Sequence, residues 1–335
     1  MKLKVIAAGV LALAAVGASA QNINGAGATF PYPIYSKWFS EYSQQNPSVK
    51  INYQSIGSGG GIRQVSEGTV DFGATDGPMS DAQISAAKVK TMHIPTVLGA
   101  VVPVYNIPGV SKDLNFSGDV IADIYLGKIS RWNDARIAKD NPGVSLPDQA
   151  ILPVYRSDGS GTTYIFTDYL SKVSPDWSSK VGKNTSVKWP TGIGQKGNEG
   201  VAGMVRQSPY SFGYVELIYA TQNKMAYGAV KNSAGKFLKA TTDGVTAAAA
   251  AAAKTMPADY RVSITNAPGA TSYPISSFTW LLIPTNSTDP AKAKALSGFL
   301  GWMLDHGQSE AAALNYAPLP KPVQDMVRKS IAQVK

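Results

Sequence analysis

The sequence predicts an α/β protein built as two lobes, and three features of it say so. Short apolar stretches alternate with helical periods and Gly-rich turns for most of the chain. Three times the chain runs through a turn rich in Gly, Ser and Thr into a helix, at "GAGATFPYP" (25–33), "IGSGGG" (56–61) and "RSDGSGTTY" (156–164). Two extended apolar segments, "LGAVVPVYNIPG" (98–109) and "SYPISSFTWLLIP" (272–284), read as strands that cross between the lobes, one outward and one returning.

Each element follows from local pattern. Ile34, Tyr35, Trp38, Phe39 and Tyr42 recur at helical spacing after the first turn, and Val49, Ile51 and Tyr53 then alternate as a half-buried strand. Ile62 and Val65 begin a short helix after the second turn, and "TVDFGATD" (69–76) is a strand that ends on an acid. "ILPVY" (151–155) is a strand feeding the third turn, and Ile165, Phe166, Tyr169, Leu170 and Val173 mark the core face of the helix behind it. The alanine run from Thr246 to Ala253 predicts a surface helix by propensity alone. Helical periods resume through Leu296, Phe299, Leu300 and Met303.

The first twenty residues stand apart from the fold. Lys2 and Lys4, an apolar run from Val5 to Val16 and the small residues Ala18-Ser19-Ala20 read as an export signal cleaved after Ala20. The run is too short to span a bilayer comfortably. With no cysteine in the 335 residues, disulfides, thiolate metal sites, a cysteine nucleophile and a lipidated N-terminal cysteine are all excluded. A free periplasmic protein, starting at Gln21, is the expectation. The about 315 residues that remain suit two domains stabilised by core burial. Net charge is +9, or +7 without Lys2 and Lys4, but the basic residues are scattered, so no nucleic-acid partner is expected.

Two motifs resemble chemistry that the context denies. Gly192-Ile193-Gly194-Gln195-Lys196-Gly197 has the spacing of a dinucleotide turn, yet Trp189-Pro190 precedes it where a strand is required, so it reads as a turn capping the helix near Asn198. Ser160 lies between glycines but lacks the outer glycines of a nucleophile elbow, and the two histidines, His93 and His306, have no partner placed by sequence. No metal and no cofactor are expected.

What remains is capture of a tetrahedral oxyanion. Arg156 offers a charged fork of N–H donors, Ser160 and Thr162 offer hydroxyls, and the amides of Gly161 and Thr162 lie at a helix N-terminus. Asp158 is placed to hold the guanidinium. Thr29 and Phe30 precede one helix, and Ser58 sits in a glycine turn that admits close backbone approach. Asp76 would repel a fully ionised ligand unless it accepts a proton that the ligand carries.

With "GAGATFPYPIYSKW", "IGSGGG", "TVDFGATD", "RSDGSGT", "VKWPTGIGQKGNEG" and "FGYVE" in this order, the chain resembles the periplasmic phosphate-binding proteins of the high-affinity phosphate ABC importer, from its export signal to about Lys335. The resemblance implies a periplasmic-binding-protein fold of type II, with lobe 1 at 21–105 and 277–335, lobe 2 at 106–276, and two crossing strands. It implies phosphate contacts from Thr29, Phe30 (through its amide), Ser58, Asp76, Arg156, Ser160, Gly161 and Thr162, with Asp158 paired to Arg156. It further implies an inner-membrane permease as partner, a monomer, and binding without catalysis. The family often has Ser-Ser-Gly-Gly where this chain has Ser58-Gly59-Gly60-Gly61, a change expected to alter the flexibility of that turn.

Overall fold

A mixed sheet runs through the whole molecule. The computed structural model describes residues 21–334; the export signal, its cleavage after Ala20 and Lys335 lie outside them. The strands are β1 (Gln21–Gly27), β2 (Val49–Ser55), β3 (Phe72–Thr75), β4 (Thr91–Asn106), β5 (Asn115–Phe116), β6 (Leu152–Arg156), β7 (Ile193–Gln195), β8 (Ser211–Glu216), β9 (Ala226–Tyr227), β10 (Ala229–Lys231), β11 (Phe237–Leu238) and β12 (Ser276–Pro284). The large sheet has the order β2-β1-β3-β12-β4-β8-β6-β7, with β9 on β4, and β11-β10-β5 form a small second sheet.

Strand β4 joins two sets of partners. Its first part, Thr91 to Ala100, pairs antiparallel with β12, and its last part, Val101 to Asn106, pairs antiparallel with β8. On one side β1 is parallel to β2 and β3; on the other β6 is parallel to β7 and β8. Each parallel set is fed through helices, and the strands nearest the middle of the sheet, β3 and β8, are buried along their whole length, whereas the edge strand β2 alternates. Pro95 has no N–H to give the ladder, and the β4–β12 register shifts there: Val97 faces Thr279, whereas Pro95 faces Trp280. Such an irregularity re-aims side chains.

The helix Tyr32–Gln45 buries Ile34, Tyr35, Trp38, Phe39 and Tyr42, the five positions its periodicity marks. Val49, Ile51 and Tyr53 alternate in burial with their neighbours along β2. In the helix Gly161–Val173, Ile165, Phe166, Tyr169 and Leu170 are buried, while Val173 at its end is only partly covered.

Three expectations are corrected. The alanine run is no free surface helix: the helix spans Thr242–Ala249, breaks, and is followed by a short 3₁₀ turn at Ala252–Lys254. Val245, Ala248, Ala249 and Ala253 are buried, so packing rather than propensity fixes it. The Gly192–Gly197 stretch is only partly a turn, because Ile193–Gln195 forms β7 beside β6 before the helix Gly197–Gln207 begins. The outgoing crossing strand starts at Thr91, ahead of the apolar segment that announced it.

Candidate functional site

Three helix N-termini and the end of β3 converge where the two parts of the sheet meet. Thr29 and Phe30 fill the turn between β1 and the helix Tyr32–Gln45. Ser58 opens the helix Ser58–Glu67 behind Gly57, whose φ of +89° suits glycine and denies other residues an easy fit. Asp76 follows β3 directly, and Ser160 caps the helix Gly161–Val173 by accepting from the Thr163 N–H at 3.0 Å. These positions lie beyond the carboxyl ends of parallel strands, the usual place for a ligand in an open α/β sheet.

The two sides touch through backbone. The Gly59 N–H donates to the Gly159 carbonyl at 2.8 Å. A Cβ on Gly59 would stand 3.0 Å from the Gly159 Cα, so the glycine at 59 permits an approach that a serine there would crowd. Gly161 faces Asp76 and Ser58 so closely that a methyl group on it would overlap both side chains.

Asp76 is 1% exposed. Thr279 Oγ1 donates to its Oδ1 at 2.8 Å, and Ser58 Oγ both donates to Oδ2 at 3.4 Å and accepts from the Asp76 N–H at 3.2 Å. Burial pushes the carboxyl up from 3.8 to about 7, although Thr279, the Arg156 charge and Ser58 all favour its ionised form. Arg156 is buried and forks onto Asp158, Nε to Oδ1 at 2.7 Å and Nη2 to Oδ2 at 2.6 Å. Burial alone would raise Asp158, but this fork and the Gly197 N–H hold it below the usual carboxylate range. Thr29, Phe30, Ser58, Ser160, Gly161 and Thr162 are all buried as well.

Among the described residues, the amides of Phe30, Ser58, Gly161 and Thr162 have no acceptor within the protein. A helix N-terminus leaves such groups free, and its dipole favours an anion there. The local charge is one guanidinium against one firmly ionised carboxylate and Asp76. Neutral dipoles must therefore do most of the holding.

Every residue that the sequence nominated is brought to this place. Sequence reasoning missed four supports. Asn198 is wholly buried and bonds to both Thr29 and Thr162, while Thr279 holds Asp76 from across the sheet. Tyr214 O–H accepts from the Arg156 N–H at 3.2 Å and lies 2.6 Å from Thr163 Oγ1, and the Tyr219 O–H donates to the Thr29 carbonyl at 2.6 Å. Only Asn198 had a local signal, the glycine motif before it.

His93 lies in β4, where Nε2 accepts from the Met79 N–H at 3.0 Å, and His306 caps the end of the helix Pro290–Asp305 while stacking on Trp302. Ser160 is engaged as a helix cap. Among the described residues, no three His, Asp or Glu gather as a metal would require.

A family model described as a PBP superfamily domain matches residues 13–306. The chain is 47% identical to the phosphate-binding protein PstS of Pasteurella multocida (strain Pm70), over 96% of this chain and 92% of that one. It is 48% identical to the phosphate-binding protein PstS of Xylella fastidiosa (strain Temecula1), over 89% and 81%. Among solved structures, a phosphate-binding protein from Stenotrophomonas maltophilia shares the fold, with a TM-score of 0.72 at 20% identity over 92% of this chain and 93% of that one. A high-affinity periplasmic phosphate-binding protein solved with phosphate at pH 8.5 gives a TM-score of 0.73 at 21% identity over 92% and 94%. The chain belongs to the PBP superfamily and, within it, to the family of PstS phosphate-binding proteins.

Proposed function

We propose that this protein binds inorganic phosphate between two lobes and delivers it to an inner-membrane ABC permease, without catalysing a reaction. The single observation that carries the reading is the buried meeting of Arg156, Asp76 and three helix N-termini whose amides are unspent. A dehydrated anion is costly unless every oxygen is hydrogen-bonded, and this place offers donors on several sides. Thr29, the Phe30 amide, Ser58, Arg156, Ser160, Gly161 and Thr162 supply donors to phosphate oxygens. Asp76, acceptor-only when ionised, receives the proton that the ligand carries. Asp158 holds the guanidinium and tempers its charge.

Lobe 1 comprises residues 21–105 and 277–335, and lobe 2 residues 106–276. The transfer of β4 from β12 to β8 at Ala100–Val101 supports this division and a hinge at the crossing strands. Closure about such a hinge buries the ligand and forms the surface that a permease reads. The mature chain is a periplasmic monomer starting at Gln21.

Protein unfolded and dialysed to strip carried-over ligand, then refolded, is titrated calorimetrically with phosphate. Tight one-to-one binding is the expected result; heat indistinguishable from dilution would overturn the proposal.

A further inference from the structure

Asn198, directly after the glycine motif at 192–197, occupies a place that anion capture alone leaves unused. Its side chain is wholly buried, and its bonds reach across the molecule. Nδ2 donates to Thr29 Oγ1 at 2.7 Å and to Thr162 Oγ1 at 3.0 Å. Its backbone N–H donates to Thr29 Oγ1 at 3.3 Å. Oδ1 accepts from the Glu216 N–H at 3.0 Å. A backbone N–H only donates, so this last bond fixes which end of the amide is oxygen, and the NH₂ group must face the threonines.

A hydroxyl has two lone pairs and one hydrogen. Both lone pairs of Thr29 Oγ1 are taken by Asn198, through its side chain and its backbone. Those of Thr162 Oγ1 are taken by Asn198 Nδ2 and, at 3.4 Å, by Arg156 Nη1. Each hydroxyl is thereby left with its hydrogen alone to offer, and among the described residues neither hydrogen has an acceptor. Ser58 differs, because its Oγ exchanges bonds with Asp76.

Resting on the phosphate reading above, we propose that Asn198 is a positioning residue that turns Thr29 and Thr162, one on each side of the cleft, into obligate donors toward the bound oxyanion. Any ligand oxygen that meets either threonine must then be an unprotonated acceptor. Neither threonine can then receive the ligand's proton, and the carboxylate of Asp76 is the charged acceptor that can. Asn198 and Asp76 together dictate which oxygens are bare and which one is protonated, a pattern that hydrogen phosphate satisfies. Asn198 lies in the α/β half that carries Thr162 and Arg156, so the Thr162 hydroxyl is directed within that half, whereas the Thr29 hydroxyl finds its role only when the halves are together.

The test is a double-mutant cycle read by phosphate titration. Asn198→Ala is expected to weaken binding by roughly ten- to a hundredfold, the scale of a misdirected hydrogen bond to a charged acceptor. In a Thr162→Val background the same change is expected to cost at least about fivefold less, because one hydroxyl it directs is gone. A merely structural role would lower the unfolding temperature and leave the two effects multiplicative, which would overturn the inference; so would unchanged binding by a folded Asn198→Ala. Should that variant fail to fold, a neutron structure of the wild-type protein with phosphate decides. Deuterons of Thr29 and Thr162 aimed at phosphate oxygens support the inference, and deuterons aimed at Asn198 overturn it. Wild-type protein that binds phosphate while the cycle shows no coupling defeats this inference alone, whereas wild-type protein that binds none defeats the functional reading and this inference with it.

Discussion

Replacing Asp76 with asparagine isolates the chemistry of selectivity. Asparagine has nearly the same shape, so its Oδ1 keeps the 2.8 Å bond from Thr279, and its NH₂ group falls where Oδ2 lies against Ser58 and Gly161. A group that could only accept becomes a donor. Sulfate offers nothing but lone pairs: in the wild-type site it meets a second anion, and in the variant it meets an N–H. A site left with an unpaired buried polar group discriminates by ~10⁴–10⁵-fold. A hydrogen bond to a charged group contributes about 1.5–3 kcal/mol, so the phosphate-to-sulfate affinity ratio should fall by at least about tenfold, and up to roughly 10²-fold for each such bond lost or gained, on Asp76→Asn. Competition calorimetry at pH 8, where a carboxyl with a pKa of about 7 is ionised, measures that ratio. A variant that rejects sulfate as strongly as wild type would refute the proton-reading role.

The same group sets two pH dependences. Below about 7 Asp76 is a neutral acid able to donate to sulfate, so wild-type sulfate binding should strengthen as pH falls toward that value, by at most about tenfold per pH unit. Because the folded state holds this proton more tightly than the unfolded chain, with its value of 3.8, the ligand-free protein loses stability as pH rises from about 4 to about 7. The loss amounts to about 4 kcal/mol, at about 1.4 kcal/mol per tenfold in proton affinity. Asp76→Asn should abolish both slopes, and urea unfolding across pH tests the second.

Three further outcomes follow from the same geometry. Gly161→Ala places a methyl group against Asp76 and Ser58, with the Asp76 Cβ only 2.6 Å away, and should cost phosphate affinity at least ~100-fold while ligand-free unfolding in urea changes by less than about 1 kcal/mol; equal affinity would show that the two sides do not close on the ligand. Burial, and secondarily the Arg261 charge, pushes His93 down from 6.5 to about 4, so its contribution to stability is lost as pH falls from about 6.5 to about 4, by up to about 3 kcal/mol. His93→Gln, which keeps an acceptor for the Met79 N–H, should flatten that part of the stability-versus-pH curve relative to wild type, and an unchanged curve would refute the assignment. Arg261 Nη1 donates to the Met79 carbonyl at 2.9 Å and to Asp81 Oδ1 at 2.7 Å, from the proposed lobe 2 to lobe 1. With Asp81 largely exposed the pair is weak, so Arg261→Ala should speed phosphate release only about two- to fivefold in stopped-flow, and no change would remove it as a clasp.

Much of the site was legible because its chemistry is local. Arg156 and Asp158 are two residues apart, Ser160 to Thr162 form one helix start, and Thr29, Phe30 and Ser58 sit in turns whose composition announces free amides. The five core positions of the first helix emerge from periodicity because that helix packs by a single stripe. The supports were not legible because they come from afar: Thr279 reaches Asp76 across 203 residues of chain, and Asn198 reaches Thr29 across 169. Nothing near Thr279 signals its aim, and the β4–β12 register shift that falls between Thr279 and Trp280 has no mark in the sequence of β12. The alanine run misled because its composition reports helix propensity and is silent on the neighbours that bury Ala248 and Ala249.

The account stands or falls on where phosphate binds. A crystal structure of ligand-stripped, refolded protein grown with phosphate should place one ion with its oxygens on Arg156, Ser58 and the Gly161 and Thr162 amides, and one oxygen within hydrogen-bond distance of Asp76. An ion bound elsewhere, or bound there with Asp76 turned away, would contradict it.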